Sequence, residues 1–316
     1  MKFKKVLVYN IDRSKSLDLI SWKKIESLGN KIVFLPKDNP RFRKELADTD
    51  CLLVAFATSV DKQDLDSAPQ LKYIGVAATA FGKIDTTHAK KKGIIVCNLK
   101  GYSTESVAEF IIAVLLENIR GLEEGKTRGR SGSYSEAGIS AFEIKDKIFG
   151  IIGLGDIGRR VAEIAQGFGA DVRYWSRNRK TDYEEKGVTY EDLDRLVEEA
   201  DYLSINLAQT KDTEKIFNQS RFQKLKSGAV VINTCPMELI DIDALEQRLK
   251  KEDIIFILDH SDEMRESDLK KLSKYENCII YPPMAYISKE AGENRKRIFI
   301  ENIEAFLKGK PQNVVN

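Results

Sequence analysis

Gly153-Leu154-Gly155-Asp156-Ile157-Gly158 is the run with the clearest chemistry: it closes an apolar strand-like stretch and opens a helical one over residues 159–168. G-x-G-x-x-G in that strand–turn–helix setting is the fingerprint of a dinucleotide cradle. Gly153 allows the tight turn, Gly155 lets backbone approach a pyrophosphate, and Gly158 lets the helix pack closely. Asp156 and Ile157 lie within this turn, and the helix N-terminus that follows it offers unpaired amides and a positive dipole end to phosphate. A carboxylate about twenty residues further on would hold the ribose hydroxyls of NAD. Ser176, Arg177 and Asn178 stand there instead, with Arg179 and Lys180 behind them. An arginine at that place pairs with a 2′-phosphate, so NADP(H) is expected over NAD(H). A solvated surface arginine is the plainer alternative.

These groups need elements to hold them. Short β-branched runs (KVLVYNI, IVFLP, CLLVAF, YIGVA, IIVCN) alternate with amphipathic segments over the first hundred residues. A second series begins at Ile148 and continues through DVRYWS, YLSINLA, GAVVINT, IIFILD and CIIYPP. Strand–helix alternation of this kind implies βαβ units and parallel sheets. The α/β chain is long enough, at 316 residues, for two cores. Between the series lies an apolar helix, residues 104–120, suited either to a domain or subunit boundary or to an ordinary core. The Gly- and Ser-rich run 125–138 is expected as an exposed loop.

Fifty-one basic and forty-nine acidic residues leave a charge of +2, with no electrostatic reason for a nucleic acid or an anionic membrane as partner. Four scattered cysteines without C-x-x-C spacing argue against a disulfide framework or a structural zinc, so no metal is expected. They fit a reducing compartment. The start has no signal-peptide core, and the longest apolar segment, Val107 to Leu116, carries Glu109 and is too short to span a bilayer. A cytoplasmic protein is expected.

The motifs LKYIGVAATAFGKID, GIIVCNLKGYSTESVAE, GIIGLGDIGRRVAEIAQGFGADV, GAVVINT and FLKGKPQNVVN cover nearly the whole chain. Together they resemble the D-2-hydroxyacid dehydrogenase family, in particular its glyoxylate and hydroxypyruvate reductase branch. The resemblance implies a Rossmann-type nucleotide domain, residues 101–287, inserted into a flavodoxin-like substrate or lid domain, residues 1–100 and 288–316. It also implies a homodimer and a small carbonyl or hydroxy compound as substrate. Asn206, Thr210, Thr234, Cys235 and Asp259 would line the cofactor cleft, with Asp259 accepting from the carboxamide. Thr79, Ala80, Phe81 and Gly82 would offer backbone amides to a small anion, with Tyr102 and Phe81 adding aromatic surface.

The family works with an arginine for the substrate carboxylate, a histidine for the proton, and an acid that keeps the histidine charged. The matching places hold Pro236, Pro283 and Met264, with Glu263 one residue away from the last. Neither proline nor methionine moves a proton or grips a carboxylate. Substitutes within the chain are His260, Tyr281, Tyr286 and Cys235. His260 would be turned away from Asp259's face by strand alternation. The tyrosines could donate a proton if their pKa values were lowered. Cys235 could add to an aldehyde as a thiolate, or be a small buried hydrophobe. Two readings follow: an NAD(P)-dependent oxidoreductase acting on a CH–OH or carbonyl group with altered acid–base groups, or a catalytically inactive NAD(P)-binding sensor or scaffold.

Overall fold

The computed structural model describes residues 2–14, 16–56 and 58–316, the side chain of Glu263 excepted. The chain divides into two compact units, residues 1–103 with 288–316, and residues 104–287.

The first unit is built on strands β1 (Val6–Tyr9), β2 (Ile32–Leu35), β3 (Cys51–Val54), β4 (Tyr73–Val76) and β5 (Ile95–Cys97). All are parallel, in the order β2-β1-β3-β4-β5, the flavodoxin-like arrangement. Strands β1, β3 and β4 are buried along their whole length, which explains their unbroken apolar runs. The two-residue period sends Leu7, Leu52 and Ile74 to one face and Val6, Val8, Leu53 and Tyr73 to the other. Helix Lys289–Leu307 covers the second face with Phe299, Ile300 and Ile303, alongside Trp22 and Ile25 of helix Leu19–Ser27. Each such side chain contributes roughly 1.5–3 kcal/mol relative to exposure. Asp18 and Ser288 start these two helices by accepting from the amides of Ser21 and Ala291.

The second unit carries β6 (Ile148–Ile152), β7 (Asp171–Trp175), β8 (Thr189–Tyr190), β9 (Tyr202–Ile205), β10 (Val230–Asn233), β11 (Ile255–Leu258) and β12 (Cys278–Ile280). Their order is β12-β11-β10-β9-β6-β7-β8, again parallel. Counted from β6 this is the doubly wound Rossmann order, which reverses between β6 and β9. A dinucleotide belongs outside the carboxyl ends of strands at such a switch point.

Helix Thr104–Ile119 buries Val107, Ala108, Ile111, Ile112, Val114, Leu115 and Ile119 with Phe149, Val161 and Ile232 in one core of this unit. Within the unit it is an ordinary core helix. The run 125–138 departs from the expected loop, because helix Leu122–Arg130 takes its first six residues. Ion pairs Glu123–Lys126 and Glu124–Arg128, three and four residues apart, support a helix that its glycines would weaken.

Candidate active site

The β6 strand ends in the glycine turn, and its geometry tolerates no other residue at two places. Gly153 sits at φ +99°, and a Cβ there would lie 2.4 Å from the Asn206 carbonyl oxygen. A Cβ on Gly158 would lie 2.1 Å from the Gly153 carbonyl oxygen, so only glycine lets the helix approach the turn this closely. Gly155 differs: a Cβ there meets nothing within 4 Å. It precedes helix Asp156–Gly167, which no side chain caps. Open space therefore lies before a helix N-terminus with amides to offer, the form of a pyrophosphate cradle. Asp156 is exposed and Ile157 half-buried against the core.

Two buried oxygens lie past the strand ends of the same sheet. Asn206, after β9, has its Nδ2 donating to Ser204 Oγ at 2.8 Å, while its Oδ1 is buried with no donor among the described residues. Asp259, after β11, is 2 % exposed. Its Oδ2 accepts from the Ala285 amide at 2.9 Å, and its Oδ1 has no donor among the described residues. Burial pushes the Asp259 carboxyl above its ordinary range, against the opposing pull of the Ala285 amide and of His260. Buried acceptors normally find donors. A dinucleotide with a carboxamide supplies N–H groups of the kind both oxygens lack, so these residues fit one.

After β7, Ser176 is buried and donates to the Asn178 carbonyl at 2.7 Å, closing a turn. Arg177 projects from it with a 78 % exposed side chain, 3.9 Å from Asp212. Arg179 is engaged, paired with Glu184 and lying over the Tyr190 ring at 5.1 Å. Thr210 is turned into its own loop, where its amide donates to Thr213 Oγ1 at 2.8 Å. Thr234 is half-buried.

The catalytic candidates separate clearly. Cys235 is 8 % exposed and its Sγ donates to the Ile205 carbonyl at 3.1 Å. Burial pushes its thiol up to about 12, which favours the small buried hydrophobe over the thiolate. Tyr281 is engaged locally: its hydroxyl donates to Glu117 Oε2 at 2.6 Å and its ring meets Phe110 edge-on. Burial, then the Glu117 carboxylate, raise it to about 12, the opposite of what a proton donor needs. Tyr286 remains at the surface, 40 % exposed. His260 is half-buried and precedes the 3₁₀ turn Ser261–Glu263. The alternation argument does not reach it, because β11 ends at Leu258.

In the first unit, the loop after β4 is tied by its carbonyls. The Ala78 carbonyl accepts from the Leu99 amide at 3.0 Å, and the Thr79 carbonyl from Asn98 Nδ2 at 2.6 Å. The amides of Thr79, Ala80, Phe81 and Gly82 have no acceptor among the described residues. Thr79 Oγ1 itself donates to the Leu99 carbonyl at 3.2 Å. Phe81 and Tyr102 are half-buried against the cores of this unit, so much of their aromatic surface serves packing.

The profile described as D-isomer specific 2-hydroxyacid dehydrogenase, NAD binding domain, matches residues 112–285. The chain is 32% identical over 293 residues to a glyoxylate reductase of Thermococcus litoralis, covering 89% of this chain and 88% of that protein. The chain belongs to the D-isomer-specific 2-hydroxyacid dehydrogenase family. A hydroxypyruvate reductase of Blautia hydrogenotrophica is 30% identical over 310 residues, 94% of this chain and 95% of that one. Among solved structures, an acyclic imino acid reductase in complex with NADPH and D-Arg superposes with a TM-score of 0.85. It is 31% identical and covers 98% of this chain and 100% of that one.

In this member of the D-2-hydroxyacid dehydrogenase family, an oxidoreductase with a nicotinamide-binding domain, the three places where the resemblance implies arginine, acid and histidine hold Pro236, Met264 and Pro283. Pro236 leads into the 3₁₀ turn Met237–Leu239, Met264 packs against the core, and Pro283 is half-buried in the turn after β12. The Glu263 side chain lies outside the described atoms. Asn233 was not foreseen. Fully buried at the end of β10, it donates to the Cys235 carbonyl at 2.9 Å and accepts from the Cys235 amide at 3.3 Å, shaping the corner. The one available signal was a polar residue inside an apolar strand.

Proposed function

We propose that this chain is an NADP(H)-dependent reductase of a small carboxylate-bearing acceptor, working without the family's arginine–acid–histidine set. The observation that carries it is the pair of buried oxygens without donors among the described residues, Asn206 Oδ1 and Asp259 Oδ1, on the sheet whose switch point holds the glycine turn. Gly155, Asp156 and Ile157 hold the pyrophosphate, Asp259 orients the carboxamide, and exposed Arg177 meets the 2′-phosphate beside Ser176 and Asn178. NADPH, when bound, supplies the hydride. Residues 104–287 form the nucleotide-binding unit, and the other unit binds the acceptor through the amides of residues 79–82.

With Cys235 and Tyr281 held protonated, His260 and Tyr286 are the remaining local groups for the proton of a developing alkoxide. A second reading follows from that shortage. A protonated imine accepts hydride to give a neutral amine, with no alkoxide to protonate, and the imino acid reductase is among the similar structures. NADPH oxidation is followed with glyoxylate and hydroxypyruvate, each with and without added ammonium or methylamine. Turnover of the oxo acids alone supports the carbonyl reading. Turnover that requires the amine supports the imine reading. Tight NADPH binding with no turnover in any mixture would return the protein to the sensor or scaffold class.

The four cysteines are all free and buried, in keeping with a cytoplasmic enzyme. A homodimer belongs to the same proposal, and light scattering on the purified chain decides it.

A further inference from the structure

One peptide in the second unit is gripped by side chains on both sides. The Ala285 amide donates to Asp259 Oδ2 at 2.9 Å. The Ala285 carbonyl accepts from Ser106 Oγ, on helix Thr104–Ile119, at 2.7 Å. The stretch around it has little else to hold it. Tyr281 is fixed before it, with its amide on the Leu258 carbonyl at 2.8 Å and its carbonyl on Ser261 Oγ at 3.0 Å. Residues 282–287 then form neither helix nor strand. Pro282 and Pro283 have no N–H to donate. Met284, Tyr286 and Ile287 are 41, 40 and 63 % exposed, against 3 % for Ala285. The position of this stretch therefore depends on one buried residue, whose two backbone groups bond to side chains from distant parts of the unit.

Asp259 has a second oxygen to offer. Its Oδ1 is buried with no donor among the described residues, and a carboxylate accepts on both oxygens. Burial pushes the carboxyl above its ordinary range, and the Ala285 and Met284 amides oppose that rise. Each donor makes the buried charge less costly, and a charged acceptor holds every donor more strongly. Two donors on one buried carboxylate are therefore cooperative. A donor arriving at Oδ1 strengthens the bond to Ala285, and the bond to Ala285 strengthens the hold on that donor by the same factor.

We propose that Asp259 and Ser106 are positioning residues that couple the nicotinamide end of the cofactor to residues 282–287, so that the bound carboxamide orders the stretch carrying Tyr286. The coupling rests on the reading of Asp259 as the carboxamide acceptor; the grip on Ala285 does not. The test is hydrogen–deuterium exchange of the full chain, read on peptides covering 284–287, without ligand and at saturation with each of three ligands. NADP⁺ brings a carboxamide N–H, its 3-acetylpyridine analogue brings the ring without that N–H, and 2′-phospho-ADP-ribose lacks the ring. NADP⁺ slows exchange about tenfold, the scale of one charge-assisted hydrogen bond, while the other two leave it within about twofold of the ligand-free chain. Asp259→Asn abolishes the difference between the three, and the analogues on the native chain decide the matter should that variant unfold. Ser106→Ala speeds exchange without ligand and Ser106→Thr, which keeps the hydroxyl, restores it. Unchanged exchange in Ser106→Ala overturns the part given to Ser106. Equal protection by all three ligands, or NADP⁺ binding without protection, overturns the coupling and leaves the cofactor reading standing. Failure of all three to bind in calorimetry overturns both.

Discussion

At the scale of single residues, protonation decides which side chains can act. Cys235 is held as a thiol up to about pH 12, so Cys235→Ala should leave turnover within about twofold. Alkylation by iodoacetamide at neutral pH should leave the same residue unmodified, as peptide mass spectrometry will show. Asp259 behaves oppositely to the usual stabilising carboxylate. Its folded pKa is raised above 3.8, so its favourable contribution is full below that value and is lost as pH rises through the folded pKa. Asp259→Asn should therefore raise the melting temperature of the cofactor-free chain at neutral pH. It should also weaken NADPH roughly tenfold or more by removing a charged acceptor, measured by fluorescence titration. The candidate site was legible at this scale where backbone rules govern, as at Gly153 and Gly158. It was not legible for Tyr281, whose role depends on Glu117, 164 residues away in the chain.

At the scale of elements, the helices and strands follow local signals, and their ends are where stability can be probed. Asn233 closes the corner after β10 through both its amide atoms. Asn233→Ala should cost about 1–3 kcal/mol by leaving buried backbone groups unpaired, read from denaturant unfolding. Asp18 caps its helix and is held at about 2, first by the Ser21 amide and then by Lys296. Its contribution is present above pH 3.8 and is lost as pH falls through about 2. Asp18→Asn, which can still cap, should flatten part of the acid limb of the stability profile. Eleven of the strands lie on apolar runs visible in the sequence. The two-residue β8 escaped because Thr189–Tyr190 is too short to show a period. The helix at Leu122–Arg130 escaped because two glycines and flanking serines outweigh side-chain pairing in a local reading.

At the scale of the whole molecule, two units with separate cores imply two unfolding steps, and NADPH should discriminate between them. In scanning calorimetry the transition of residues 104–287 should shift upward with NADPH by about 2.7 kcal/mol at a hundredfold excess over Kd. Equal stabilisation of a single merged transition would show instead that the units unfold together. The sequence alone determined the α/β class, the parallel sheets and the glycine cradle. Those follow from periodicity and from steric limits that act within a few residues. Tertiary structure alone decided which polar atoms are left without partners. The burial of Cys235, the capture of Tyr281 by Glu117 and the Asp259 Oδ1 left without a donor among the described residues each depend on segments far apart in the chain. Burial and hydrogen bonding are properties of an assembled neighbourhood, and no short stretch of residues contains them.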